Sequence, residues 1–216
     1  MNSILKENKM KIFKSAGVYL VSSSELSSRT TLEVVKDFLE AGGKLFQLRE
    51  KTWNKEQFLK IGKELREVSN RTGSLFILND DPILATELKA DGVHLGQDDT
   101  SVMEARRIIG NDGIIGVSTH NLEEAIKAFE EGADYINIGP VFPTGTKPGV
   151  KSISINEVDK IVKQVKLPYT FMGGIKASNL TQLLKFSPSA FAMITELTMA
   201  ESVETKLKDI LRVIGK

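Results

Sequence analysis

Short apolar runs alternate along this chain with longer stretches in which apolar residues recur every three or four positions. The runs are Val18–Ser22, Leu45–Arg49, Leu75–Asn79, Gly92–Leu95, Ile114–Val117, Tyr135–Gly139, Tyr169–Met172 and Ala190–Ile194. Several are almost continuously apolar, as strands buried on both faces should be. Between them the period becomes helical. Phe58, Ile61, Leu65 and Val68 form a stripe behind Asn54, with Gln57 placed for a capping box. Leu122, Ala125, Ile126 and Phe129 repeat the arrangement behind Asn121 and Glu124, and Val158, Ile161, Val162 and Val165 form a third stripe. Weaker helical patterns cover Thr31–Glu40, Pro82–Leu88, Ser101–Ile109, Asn179–Lys185 and Val203–Val213.

About eight strand–helix units therefore follow one another, roughly every 20 to 30 residues, with no Pro/Gly/Ser-rich linker between them. A strand followed by a parallel neighbour needs a crossover, which a helix supplies. The pattern predicts an α/β chain with one (β/α)8 TIM-barrel domain over residues 17–216, preceded by an N-terminal extension, residues 1–16. A doubly wound open sheet is the rival, but it usually needs fewer units.

Composition adds exclusions. With 216 residues, 41% of them hydrophobic, the chain can bury a sizeable core. Twenty-nine Lys+Arg against 28 Asp+Glu leave a net charge of +1, without the basic excess of a protein that binds nucleic acid or a membrane surface. Cysteine is absent, which removes disulfides, thiolate metal sites and Cys nucleophiles. His94 and His120 are the only histidines, too few for a three-His metal centre. No apolar run approaches the length of a membrane span, and the polar, basic Met1–Lys14 lacks the apolar stretch of a signal peptide. The expected compartment is the cytoplasm.

In a barrel the active site lies at the C-terminal ends of the strands, and those ends are where this chain concentrates polar residues. Strand two ends in Gln47-Leu48-Arg49-Glu50-Lys51, strand three in Asn79-Asp80-Asp81-Pro82, and strand four in His94-Leu95-Gly96-Gln97-Asp98-Asp99. Strand five ends in Ser118-Thr119-His120-Asn121, and strand six leads into Thr144-Gly145-Thr146-Lys147. Strand seven ends in Gly173-Gly174 and strand eight in Ile194-Thr195, while the opposite loops read as bland. Arg49, Lys51 and Lys147, with hydroxyls from Ser118, Thr144 and Thr146, suit phosphate oxygens. Asp80 and Asp99 beside them make sense if a cation intervenes, and Mg2+ prefers one or two carboxylates plus phosphate oxygens. Gly174, Ile194 and Thr195 fall where barrels place a phosphate, after strands seven and eight. The pattern reads as a diphosphate held by Mg2+ with a monophosphate nearby.

The motifs Gln47 to Lys51, Asn79-Asp80, Asp91 to Gln97, Gly116 to His120, Gly139 to Thr144 with Thr146-Lys147, and Gly173 to Ile175 together resemble the thiamine phosphate synthase family. The resemblance runs in order from about Tyr19 to Thr195. It implies a transferase that joins 4-amino-2-methyl-5-hydroxymethylpyrimidine diphosphate to a thiazole phosphate, releasing pyrophosphate. It implies that Gln47, Leu48, Arg49, Glu50, Lys51, Asn79, Ser118 and Lys147 contact the pyrimidine diphosphate. Thr144, Gly145, Thr146, Gly174, Ile194 and Thr195 correspond to the thiazole phosphate site, and Asp80 and Asp99 to the Mg2+ ligands. Arg49, Lys51, Ser118 and Lys147 are then the expected catalytic groups, since negative charge growing on the pyrophosphate needs donors and cations. The thiazole nitrogen carries no proton, so no general base is required. The chain departs from the family pattern at Ser22-Ser23-Ser24, at Ser187-Pro188-Ser189 and at Thr195-Glu196-Leu197, where Ser-Ala-Ile is frequent.

Other residues have structural readings. Asp81 before Pro82 reads as a helix N-cap, and either Asp98 or Asp99 could cap the following helix. Glu50 alternates away from Arg49 and Lys51 and is expected in an ion pair. His94 reads as a hydrogen-bonded core residue and Trp53 as packing. Two other functions fit less of the pattern. A thiazole tautomerase would need His120 as proton carrier and leave the cations and carboxylates unused. A non-catalytic phosphate-binding barrel would bind ligand without turnover.

Overall fold

A computed structural model of the protein describes residues 4–145 and 151–216. Eight parallel strands close on themselves in sequence order: β1 (Gly17–Val21), β2 (Leu45–Leu48), β3 (Leu75–Asn79), β4 (Gly92–Leu95), β5 (Ile114–Thr119), β6 (Tyr135–Ile138), β7 (Tyr169–Phe171) and β8 (Ala190–Met193). Closure is made by β1, which pairs with β2 on one side and with β8 on the other, Gly17 opposite Ala190 and Leu20 opposite Met193. An open sheet is thereby excluded, and the (β/α)8 barrel stands.

The crossovers are α2 (Thr31–Glu40), α3 (Lys55–Thr72), α4 (Pro82–Glu87), α5 (Val102–Ile109), α6 (Leu122–Glu130) and α7 (Ile155–Gln164). After β7 the expected helix is a 3-10 helix, Leu180–Phe186. A single turn, α8 (Thr195–Thr198), follows β8 and leads to α9 (Val203–Val213), which closes the chain. The Asn54–Gln57 capping box forms as expected, each side chain bonding the other's backbone N–H. At α6 Asn121 caps Glu124, but the Glu124 carboxylate reaches back to the His120 N–H instead. Neither Asp98 nor Asp99 caps α5; Ser101 does, because the turn places its hydroxyl against the Glu104 N–H. Asp81 accepts from the Leu84 N–H with Pro82 at the first helical position, so Asp81→Ala should cost about 1 kcal/mol in denaturant unfolding. A loss below a few tenths would remove its capping role.

Period-two alternation sorts the strands into two apolar layers. Tyr19, Leu45, Leu75, Ile77, Ile114, Tyr135, Ala190 and Ala192 face inward and fill the barrel. Phe46, Leu48, Phe76, Leu78, Val93, Val117, Ile136, Ile138 and Phe171 face outward against the helical stripes. Gly116 makes the inner layer possible at Tyr135: a methyl group there would lie 2.0 Å from the ring carbon Cζ.

The end of the barrel opposite the strand C-termini is not bland. A helix within the N-terminal segment, α1 (Ile4–Ser15), closes it and sets the fully buried Phe13 ring 4.3 Å from the Tyr135 ring. Two carboxylates hold this floor. Asp134 pairs with Lys6 at 2.5 Å and Arg106 at 2.6 Å, and Asp91 pairs with Arg66 at 2.8 Å and Lys9 at 3.4 Å. These partners lie far apart in sequence, so their loops look like scattered surface charge until the barrel assembles them.

Candidate active site

The alternation that fills the lower barrel with apolar groups sends polar ones inward at the top. Gln47, Asn79, His94, Ser118 and Asn137 all line a cavity of about 330 Å³ at the strand C-termini. Loop residues complete it: Arg49, Lys51, Asp80, Asp99, Thr144, Gly174, Ile194 and Thr195. Most of the residues singled out in the sequence therefore converge on one site.

Three of them do not reach it. Leu48 is fully buried on the outer face of β2, in the layer against the helices, because it is the immediate neighbour of the inward-facing Gln47. Gly145 is exposed and stands outside the cavity lining. Glu50 turns away from the cavity, as alternation predicts, but it forms no ion pair among the described residues. Its carboxylate accepts from the Ser22 and Thr31 hydroxyls at 2.8 and 2.6 Å and from the Ser24 N–H and hydroxyl at 2.7 and 2.6 Å. Burial favours this arrangement, since short hydroxyl donors satisfy a carboxylate without burying a second charge. The serine run after β1 thus serves to anchor Glu50 and tie β1, β2 and α2 together. Thr146 and Lys147 lie outside the described residues.

The electrostatic centre is built from three loops, those after β2, β3 and β4. Asp80 follows β3 with φ of +67°, a left-handed conformation uncommon for a residue with a side chain, and its N–H bonds the His94 carbonyl at 2.8 Å. Its carboxylate receives Lys51 Nζ at 2.6 Å and is hydrogen-bonded to the Asp99 carboxyl. Asp99 also accepts from the Gly96 N–H at 2.6 Å. Burial acts against charge on both. At Asp80 the Lys51 ammonium and the bond to Asp99 outweigh it and hold the carboxyl below its ordinary value. At Asp99 burial, with the neighbouring Asp80 charge, raises it. Two neighbouring carboxyls of this kind are a pair to which a divalent cation is the natural counter-charge. No group of three or more His, Cys, Asp or Glu side chains forms a metal cluster among the described residues. A cation here would take its other ligands from phosphate oxygens and water, as Mg2+ does.

Arg49 is half-buried beside this pair, and its guanidinium makes no ion pair among the described residues. On the opposite wall, Gly173 and Gly174 take φ of +89° and +61°. A methyl group on Gly174 would stand 2.4 Å from the Pro143 carbonyl oxygen, so the loops after β6 and β7 touch through backbone. That contact holds Thr144 and Gly174 against the same space as Thr195, the first residue of α8.

His94 is a buried, hydrogen-bonded residue as expected, but it also lines the cavity, bonding Tyr135 and Ser118 at 2.9 Å each. His120 lines the cavity with Nδ1 2.8 Å from Glu124. Trp53 packs edge-on against Phe58, as expected. Sequence reading passed over Asn137, Met172 and Lys176 and gave Gln97 no role, although all four line the cavity. Asn137 was detectable as the polar residue in the otherwise apolar β6, at an inward position. Gln97 donates to the Ser118 carbonyl at 2.6 Å, a contact from the loop after β4 to β5 that no local pattern reveals.

Comparison with known proteins agrees with this geometry. The family model described as thiamine monophosphate synthase matches residues 18–197. Thiamine-phosphate synthase of Caldicellulosiruptor saccharolyticus is 38% identical over 98% of this chain and 97% of its own length. That of Clostridioides difficile is 39% identical over 94% and 96%. The solved thiamine phosphate pyrophosphorylase of Pyrococcus furiosus superposes with a TM-score of 0.86, at 31% identity over 94% of this chain and 98% of that one.

Proposed function

The chain belongs to the thiamine monophosphate synthase family and joins the pyrimidine diphosphate to the thiazole phosphate, giving thiamine phosphate and pyrophosphate; from that premise we propose how its cavity divides the work. The observation that carries the assignment is that Arg49, Lys51, Asp80, Asp99 and Ser118 line one cavity, which Thr144, Gly174, Ile194 and Thr195 share.

Arg49 and Lys51, with Lys147 from the loop after β6, receive the diphosphate. Asp80 and Asp99 would hold Mg2+, which would neutralise charge on the diphosphate and so favour departure of pyrophosphate. Gln47, Asn79 and Ser118 orient the pyrimidine. Thr144, Gly174, Ile194 and Thr195, at the far wall, hold the thiazole phosphate together with Thr146, and its ring nitrogen faces the pyrimidine methylene. The bond to the diphosphate oxygen breaks with its electron pair leaving on pyrophosphate, and the nitrogen lone pair forms the new C–N bond. Arg49 and Lys51 act mainly on the transition state, because the charge they face grows as that bond breaks. The phosphorylated substrates do not cross membranes unaided, which supports a reaction in the compartment where they are made, the cytoplasm. No helix among the described residues is long and apolar enough to cross a membrane.

The direct test is incubation of the protein with both substrates and Mg2+, with detection of thiamine phosphate and pyrophosphate. The tautomerase alternative is separated by His120→Ala. Coupling needs no proton carrier, so this variant should retain coupling activity within about tenfold, a loss typical of a peripheral contact rather than the 100-fold or more of a lost acid–base group. Complete loss of coupling with intact binding of the pyrimidine diphosphate would assign a proton transfer to the His120–Glu124 pair.

A further inference from the structure

The two ends of the cavity differ in how they can meet phosphate charge. Among the described residues that line it, the side chains of Arg49, Lys51 and Lys176 are the cationic ones. Arg49 and Lys51 stand at the diphosphate end, beside Asp80 and Asp99. The far wall, with Thr144, Gly174, Ile194 and Thr195, offers hydroxyls and backbone but no charge. A phosphate monoester brings about −1.5 to −2 charges near neutral pH. Lys176 follows Gly174 in the same loop after β7, and its backbone is held on every side. Its N–H donates to Asn179 Oδ1 at 2.9 Å, and its carbonyl accepts from the Asn179 and Leu180 N–H groups at 3.1 Å each. Asn179 also donates from Nδ2 to the Gly174 carbonyl at 2.9 Å. The N–H of Ala177 donates to the Glu196 carboxylate at 3.2 Å, which ties this loop to the residue after Thr195. Lys206 lies 3.4 Å from that carboxylate and neutralises it. The Lys176 side chain is exposed and makes no ion pair among the described residues. The proposed reaction does not use it.

We propose that Lys176 binds the monophosphate of the thiazole substrate and selects the phosphorylated thiazole over its uncharged alcohol. The inference rests on the placement of the thiazole phosphate at this wall. Hydroxyl and backbone donors fix where phosphate oxygens sit, but they do not offset the repulsion between that phosphate and the diphosphate in the same cavity. A lysine ammonium does so as a compact charge, without needing the planar geometry of a guanidinium. The braced loop fixes where the side chain starts, and its flexible stem leaves the ammonium free to follow the phosphate. The monophosphate carries the same charge before and after the C–N bond forms. Lys176 therefore stabilises the bound substrate and the transition state alike, an effect on KM and not on kcat. Arg49 and Lys51 differ in this respect, because the charge they face grows as the bond to the diphosphate breaks.

Lys176→Met removes the charge, keeps most of the stem and leaves every backbone bond of the loop in place. The measurement is kcat and KM for each substrate, with the inhibition constant of the thiazole alcohol against the thiazole phosphate. KM for the thiazole phosphate should rise about tenfold, the low end for a hydrogen bond to a charged group because an exposed lysine is screened by salt. The kcat, the KM for the pyrimidine diphosphate and the constant for the alcohol should all stay within about threefold. The preference for the phosphate over the alcohol then falls about tenfold. An unchanged KM for the thiazole phosphate overturns the proposal. So does an equal loss with the alcohol, or a rise in KM for the pyrimidine diphosphate in place of the thiazole phosphate. Thr144→Val and Thr195→Val serve as the parallel arm. If they leave KM for the thiazole phosphate unchanged, the placement of that phosphate at this wall fails and the proposal with it. If they raise it while Lys176→Met does not, only the role of Lys176 fails.

Discussion

Asp80→Asn should lower kcat by about 100- to 1,000-fold, the range for removing one preorganised electrostatic group from a reacting centre. Asparagine is the informative replacement. Asp80 adopts φ of +67°, which Asn tolerates better than Ala, so the loop after β3 keeps its path and only the charge is lost. The Lys51–Asp80 pair is partly exposed, with side chains 47% and 33% accessible, and such pairs contribute at most about 1 kcal/mol of stability. The melting temperature should therefore hardly move while activity collapses. Half-maximal activity should also require more Mg2+, because one of the two carboxylates proposed to hold it has become a neutral amide. EDTA should abolish turnover of the unmodified protein. Steady-state kinetics across a Mg2+ titration checks all three expectations. Unchanged kcat in the Asn variant, or full activity in EDTA, would detach this pair from the chemistry.

The largest effect on stability is expected at the other end of the barrel. Asp134→Ala should destabilise the fold by about 3–5 kcal/mol, as when one partner of a buried ion pair is removed. Lys6 has only 7% of its side chain accessible and Arg106 only 22%, so both lose the Asp134 carboxylate with little access to water. The Ile115 N–H, which donates to Asp134 at 2.8 Å, loses its partner as well. For a chain of this size the loss corresponds to a drop in melting temperature of roughly 6–20 °C. Below the transition, kcat should be unaffected, since the floor lies at the opposite end of the barrel from the cavity. A melting temperature lowered by less than about 2 °C would show that Lys6 and Arg106 are adequately solvated without Asp134.

Eight strands, their order and most of their helices were legible in the sequence because each depends on a local period. Apolar runs mark strands buried on both faces, three-to-four spacing marks the helices between them, and Asn54 and Asp81 announce where helices begin. Ser118, Asp80 and Asp99 could be named from the sequence because they stand at the C-terminal ends of the strands, and the family motifs added Gln47 and Asn79. Leu48 shows the limit of reading a motif as a continuous run: its immediate neighbour faces the cavity, and period two sends Leu48 into the core. What only the tertiary structure decided involves partners that closure of the barrel brings together. Tyr19 and Tyr135 are 116 residues apart and meet only because the strands form a ring. Glu50 exchanged its expected ion pair for hydroxyls from the loop after β1 and the start of α2, and no pattern around Glu50 encodes that choice. Lys6, Asp134 and Arg106 looked like ordinary surface charges on separate segments. They became a buried cluster once α1 closed the barrel, because burial and pairing are set by the neighbours that folding supplies and not by the residues on either side in the chain.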